Sequence, residues 1–220
     1  MNKRLMIMGL AILFAAIIIK TAFVLISNIK VDEFHKTAIT FIIDSSSNNK
    51  NKISSEIKYI KSLCATLDPE DSVKIIKTDE SSYLIYEGGA GDGSRISEAI
   101  QKYTQNGSNK TSYGEAIKKA VDYSLTMKKN GYNTAIVVLG ELNETGLVAK
   151  RINWETLPEN IRKSQKYLPE LTIMFAYAEP EKLDNVKTKL NPVLGENKLI
   201  IANEANIDKA NSRFLRAIGR

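Results

Sequence analysis

Three uninterrupted β-rich runs constrain this chain more than any other feature: TAITFII (residues 37–43), TAIVVLG (residues 134–140) and LTIMFAYA (residues 171–178). None alternates apolar with polar positions, so each is expected to be a strand buried on both faces of a sheet. Such strands need helices above and below, and the intervening sequence supplies them. Ile53, Ile57, Ile60, Cys64 and Leu67 recur at the spacing of one helix face, which Asp68-Pro69 ends. On that face Cys64 is expected to act as a small buried hydrophobe. TSYGEAIKKAVDYSLTMKK (residues 111–129) reads as a long helix packing through Ala116, Ile117, Ala120, Val121, Ser124 and Leu125, with Asn130-Gly131 as its stop. Further helices are expected at Ser94 to Tyr103, Pro158 to Lys166, Pro180 to Leu190 and Ile207 to Ile218, and a last strand at KLIIA (residues 198–202).

Two more strands, SVKIIK (residues 72–77) and SYLIYE (residues 82–87), are separated by only residues 78–81. A parallel crossover takes a dozen residues or more, so this pair must be an antiparallel hairpin. The expected fold is therefore α/β and three-layered, Rossmann-like, with a mostly parallel six-stranded sheet and one antiparallel edge strand.

Ahead of it, Leu5 to Ile26 is apolar except for Lys20, long enough to cross a hydrocarbon core of about 30 Å. Lys20 lies near one end, where it can snorkel to the headgroups. A cleaved signal peptide would have a shorter apolar region ending in small residues, and no A-x-A precedes the polar sequence. The segment is thus expected to be an N-terminal transmembrane signal anchor (residues 1–30), followed by a short linker (residues 31–36) and the domain (residues 37–220). Lys3 and Arg4 precede the span, which favours a cytoplasmic N-terminus and a domain on the exported, periplasmic or extracellular side.

Composition removes several classes of function. The net charge is +6, but Lys3, Arg4, Lys20 and Lys30 supply +4 of it within residues 1–30, leaving +2 for the rest. No basic block remains to suggest a nucleic-acid surface. One cysteine and one histidine allow neither a thiolate or imidazole zinc cage nor an intrachain disulfide. GGAGDG (residues 88–93) follows a strand but lacks both G-x-G-x-x-G spacing and a P-loop lysine, so it is expected to be a turn and helix start. No general base, nucleophile pair or cofactor loop stands out, and no enzyme is expected.

In a sheet of this kind, ligands bind beyond the carboxyl ends of the strands, where strand order reverses. Three loops can meet there, and they carry Asp44, Ser46 and Asn48, then Thr111, then Glu141. All five offer oxygen, which suits a hard divalent cation. Each also has a local explanation. Ser45 to Asn48 can cap the following helix, Thr111 can be an N-cap, and Glu141 can be solvated.

At these residues the chain resembles the von Willebrand factor A domain family. That family builds a metal-ion-dependent adhesion site from D-x-S-x-S after the first strand, a Thr before a long helix, and an Asp after the fourth strand. Here DSSSN supplies Asp44, Ser46 and Asn48; TSYGEAI supplies Thr111 with Gly114 and Ala116; VVLGEL puts Glu141 at the Asp. The resemblance spans nearly all of the chain from Thr37 onward and implies strand order 3-2-1-4-5-6 with strand three antiparallel. Asn48 stands for a Ser, Glu141 for an Asp, and Gly140 where a Thr is common, so a working cation site and a decayed one both remain open. The resemblance implies a protein-interaction module that binds a partner's acidic residue through Mg²⁺ or Mn²⁺ rather than Ca²⁺, and the apolar segment at residues 5–26 makes that module membrane-anchored. The alternative is a metal-independent structural subunit of a membrane or cell-envelope assembly.

Overall fold

The computed structural model describes residues 36–104 and 107–220. The apolar segment at residues 5–26 lies outside them; among the described residues no helix is long and apolar enough to cross a membrane. The elements run β1 (Thr37–Asp44), α1 (Lys50–Cys64), β2 (Ser72–Thr78), β3 (Ser82–Gly89), α2 (Gly93–Thr104), α3 (Tyr113–Lys129), β4 (Asn133–Leu139), α4 (Leu157–Gln165), β5 (Thr172–Ala176), α5 (Pro180–Leu194), β6 (Leu199–Ala202) and α6 (Ile207–Ala217).

The strands form one six-stranded sheet in the order β3-β2-β1-β4-β5-β6. All neighbours are parallel except β2 and β3, the hairpin that the short connection demands. β1 is buried at every position because it lies inside the sheet with layers on both sides. Its Ile39, Phe41 and Ile43 face a layer containing Tyr59, Ile60 and Leu63 of α1, Ile96 and Ile100 of α2, and Phe214 of α6. Ile42 faces the opposite layer, with Ala116, Ile117 and Ala120 of α3, Ile161 of α4 and Val186 and Leu190 of α5. Each large apolar side chain so buried contributes about 1.5–3 kcal/mol, and these two clusters are the main stabilising mass of the domain.

Four boundaries differ from expectation for physical reasons. β1 extends through Asp44, which stays in register opposite Thr78 of β2. α3 starts at Tyr113 rather than Thr111, because Ser112 has a non-helical backbone (φ −141°, ψ 76°) and Thr111 turns its hydroxyl toward Asp44. α5 runs through Pro192 to Leu194, where the buried Leu190 and Leu194 hold the last turn. β5 stops at Ala176 because Tyr177 takes a left-handed conformation (φ 67°).

β1 is the switch strand. Chain connections leave it toward β2 on one side, and β4 lies on the other, which is where sheets of this kind place their binding crevice.

Candidate functional site

The crevice is built around Asp44, which is 3% exposed at the end of β1. Its Oδ1 accepts the Ser46 amide at 2.8 Å, a tight turn in which the aspartate caps its own loop. The Thr111 hydroxyl donates to the same oxygen at 3.5 Å, and the Tyr113 hydroxyl lies 3.3 Å from Oδ2. Tyr113 also lies 3.3 Å from the Leu139 carbonyl, so one phenol joins the ends of β1 and β4. Burial pushes the Asp44 carboxyl above its ordinary range, the Ser46 and Tyr113 donors hold it down in part, and Glu141 adds to the rise.

The β1–α1 connection folds tightly beneath the loop that precedes α3. The Ser47 amide donates to the Ser108 carbonyl at 2.8 Å. Gly107 passes so close that an added Cβ would lie 1.6 Å from the Ser45 carbonyl oxygen. Ser45 turns to the sheet edge, its hydroxyl donating to the Thr78 carbonyl at 3.2 Å. Asn48 sits within the 3-10 turn Ser47–Asn49, and its side chain lies outside the described part.

Among the described residues the capping positions go unused. No side-chain cap bond forms at Ser46, at Asn49 ahead of α1, or at Ser112 ahead of α3. Thr111 instead faces Asp44, and Asn49 donates its amide to the Asp44 carbonyl at 2.9 Å and to Glu56 at 2.8 Å.

Glu141 lies just past β4 with its side chain 26% exposed. Its Oε1 pairs with the Lys52 ammonium at 2.7 Å and its Oε2 accepts from Asn143 at 3.1 Å. The Lys52 contact draws its pKa down while partial burial opposes. Gly140, between β4 and Glu141, has φ 117°, and a Cβ there would stand 2.3 Å from the Tyr113 hydroxyl and 2.8 Å from the Asp44 Cβ. This explains the glycine where a Thr was expected: the phenol of Tyr113 fills the space.

Glu56, Asn49, Lys52 and Tyr113 were not among the expected site residues. Glu56 is fully buried, and burial pushes its carboxyl up to about 8 against the 4.5 of an ordinary glutamate. Its Oε2 and the Oδ1 of Asn49 have no protein partner. A signal was present, since Glu56 flanks the apolar stripe, three residues after Ile53 and four before Ile60. Backbone strain gathers at the same edge: Leu142 (φ 58°) and Tyr177 (φ 67°) are the non-glycine residues with positive φ among those described.

Among the described residues no three His, Cys, Asp or Glu side chains converge to hold a metal by themselves. The convergent set is one carboxylate and two hydroxyls: Asp44, Ser46 and Thr111. Two oxygens held at right angles by Mg²⁺ or Mn²⁺ stand about 3 Å apart, and Asp44 Oδ1 and Thr111 Oγ1 stand 3.5 Å apart. The buried Asp44 carboxylate has one short hydrogen bond, from the Ser46 amide at 2.8 Å, and otherwise only long hydroxyl contacts, which leaves charge that a hard cation would compensate. The donor set fits such an ion.

A doubly wound α/β domain with an oxygen-rich crevice at its switch point is the class of protein these features define. Residues 39–141 match the family model described as von Willebrand factor type A domain, and this region belongs to that family. Solved structures share the fold across a longer span. They include a von Willebrand factor type A protein from Catenulispora acidiphila, with 13% identity over 84% of this chain and 43% of that one and a TM-score of 0.58. The ArnB paralog VWA2 from Sulfolobus acidocaldarius gives 16% identity, 81% and 44% coverage, and a TM-score of 0.57. The pilus adhesin SpaC from Lactobacillus rhamnosus GG, in its open conformation, gives 10% identity, 84% and 30% coverage, and a TM-score of 0.56. The chain thus spans less than half the length of these three structures. No curated protein sequence matches it. Domains of this family are generally protein-interaction modules and mostly not enzymes.

Proposed function

We propose that this chain is a membrane-anchored protein-interaction module that engages its partner at the carboxyl edge of the sheet, through a divalent cation. The observation that carries the reading is the convergence of Asp44, Ser46 and Thr111 from two separate loops onto one buried point. Asp44, Ser46 and Thr111 would hold Mg²⁺ or Mn²⁺, with Asn48 and Glu141 as outer supports. When bound, the ion supplies a Lewis-acid contact for an acidic side chain of the partner. Asp44 fixes the charge; the Ser46 amide and the Tyr113 phenol orient its two oxygens.

A protein partner is supported by the rim. The loop after β4 is held to the site by the Gly146 amide, which donates to the Thr111 carbonyl at 2.9 Å. Glu144 anchors it further by accepting the Ile152 amide at 2.8 Å. From this fixed base Leu147 and Val148 project into solvent, 55% and 80% exposed, an apolar tip beside a polar pocket. Anchoring through residues 5–26, with the N-terminus cytoplasmic and the domain exported, completes the proposal; no nucleic acid is involved.

The second reading, a metal-independent structural subunit of an envelope assembly, is favoured by one observation: Glu141 already has a cation, Lys52, at 2.7 Å. Partner capture by the full chain, with and without chelator and with Asp44→Ala, separates the two. Loss of binding in both treatments supports the cation-dependent module. Binding unchanged by either supports the structural subunit.

A further inference from the structure

The pairing of Lys52 with Glu141 has no counterpart in the motif that the site resembles, and it sits in an unfavourable place. The first turn of α1 holds Lys50 and Lys52 and no acid. A helix N-terminus carries partial positive charge and favours acids there, so local helix energetics do not explain the lysine. Its position is explained by what it reaches. The Lys52 ammonium lies 2.7 Å from Glu141, a residue 89 positions further along the chain on a different loop. Asn143 holds the other oxygen at 3.1 Å, so both oxygens of Glu141 are committed within the protein. Lys52, Asp44 and Glu141 all act on the same buried carboxyl, Glu56, and Glu141 also acts on Asp44, so these charges form one electrostatic group.

We propose that Lys52 is a tethered competitor for the divalent cation: its ammonium neutralises Glu141 and must let go before that carboxylate can support an ion at Asp44, Ser46 and Thr111. This rests on the cation reading of the site and sets its affinity. With Lys52 in place, Asp44, Glu141 and Lys52 sum to a charge of −1; without it, to −2. A nearby like charge opposes an incoming divalent ion in a site where water screens poorly. The lysine also has somewhere to go. Its side chain is 38% exposed and lines an open groove of about 360 Å³ at the ends of β5 and β6, whose lining also includes Glu179 and Glu204. The site is thereby built for weak, displaceable cation binding, with a ligand carboxylate from the partner tipping the exchange.

The test is a calorimetric Mn²⁺ titration of the full chain in four forms: parent, Lys52→Met, Lys52→Arg, and Lys52→Met with Asp44→Ala. Lys52→Met should bind at least tenfold more tightly than the parent, Lys52→Arg should match the parent, and the double variant should not bind. Equal affinity in the parent and Lys52→Met, with the double variant silent, overturns the role of Lys52 and leaves the site standing. Weaker binding in Lys52→Met, or Lys52→Arg behaving like Lys52→Met, also overturns it, since charge is then not the cause. No binding in any form overturns both the proposal and the cation site beneath it.

Discussion

Replacing Glu56 with glutamine should stabilise the domain in alkali and flatten its pH dependence. Glu56 is fully buried beneath the site, and only its Oε1 has a partner, the Asn49 amide at 2.8 Å. Burial raises its folded pKa to about 8 from an ordinary 4.5. The folded state therefore holds a proton that the unfolded state has already released, and stability falls as pH rises from 4.5 through about 8. At about 1.4 kcal/mol per pKa unit, the full loss above this window is about 5 kcal/mol. Glutamine keeps the acceptor and cannot ionise, but it sets an amide where Oε2 has no partner, at a cost of about 1–3 kcal/mol. Net stabilisation at pH 9 is then about 2–4 kcal/mol, or roughly 5–15 °C in Tm for a domain of this size. At or below pH 5, where the parent keeps nearly all of this stability, the variant should fall under it by up to about 1–3 kcal/mol, the cost of the unpartnered amide. Urea and thermal denaturation at pH 5, 7 and 9 measure this. A variant whose stability tracks the parent at constant offset across that range would refute the reasoning, because Glu56 would then not be holding the proton.

Other substitutions probe the remaining supports. Gly140→Ala forces a Cβ to 2.3 Å from the Tyr113 hydroxyl at a φ of 117°, so it should cost about 3 kcal/mol or more and abolish Mn²⁺ binding in calorimetry. Arg220→Ala leaves Asp71, 1% exposed and paired to Arg220 at 2.6 Å, as a buried charge stripped of that contact; urea denaturation should show a loss of about 3 kcal/mol with cation binding intact. Leu147→Ser with Val148→Ser should move stability by less than about 0.5 kcal/mol while weakening partner capture, since both side chains project into solvent.

The sheet was legible because its evidence is local. Continuous apolar runs mark β1, β4 and β5, and the four residues 78–81 force β2 and β3 into a hairpin whatever the rest of the chain does. Asp44, Ser46 and Thr111 could be named because Asp44 and Ser46 open the loop after β1 and Thr111 closes the loop before α3, and both positions match the motif the chain resembles. The charges around them were not legible in the same way. Lys52 looks like one more exposed helix lysine until the fold brings Glu141 to it, and Tyr113 looks like an ordinary first-turn aromatic until β4 ends beneath its hydroxyl. Asn49 carried no sequence signal of its own, and only the fold brings its amide to the Asp44 carbonyl and the buried Glu56. Glu56 itself flanks the apolar stripe of α1, three residues after Ile53 and four before Ile60, and that placement was the one sequence clue to a polar network under the site.

The central claim is that Asp44, Ser46 and Thr111 hold a divalent cation. Electron paramagnetic resonance of Mn²⁺ titrated into the full chain tests it most directly, because bound Mn²⁺ loses the six-line signal of the free ion. The account predicts one bound ion per chain in the parent and none with Asp44→Ala. Equal loss of signal in parent and variant, or no loss in either, would contradict it.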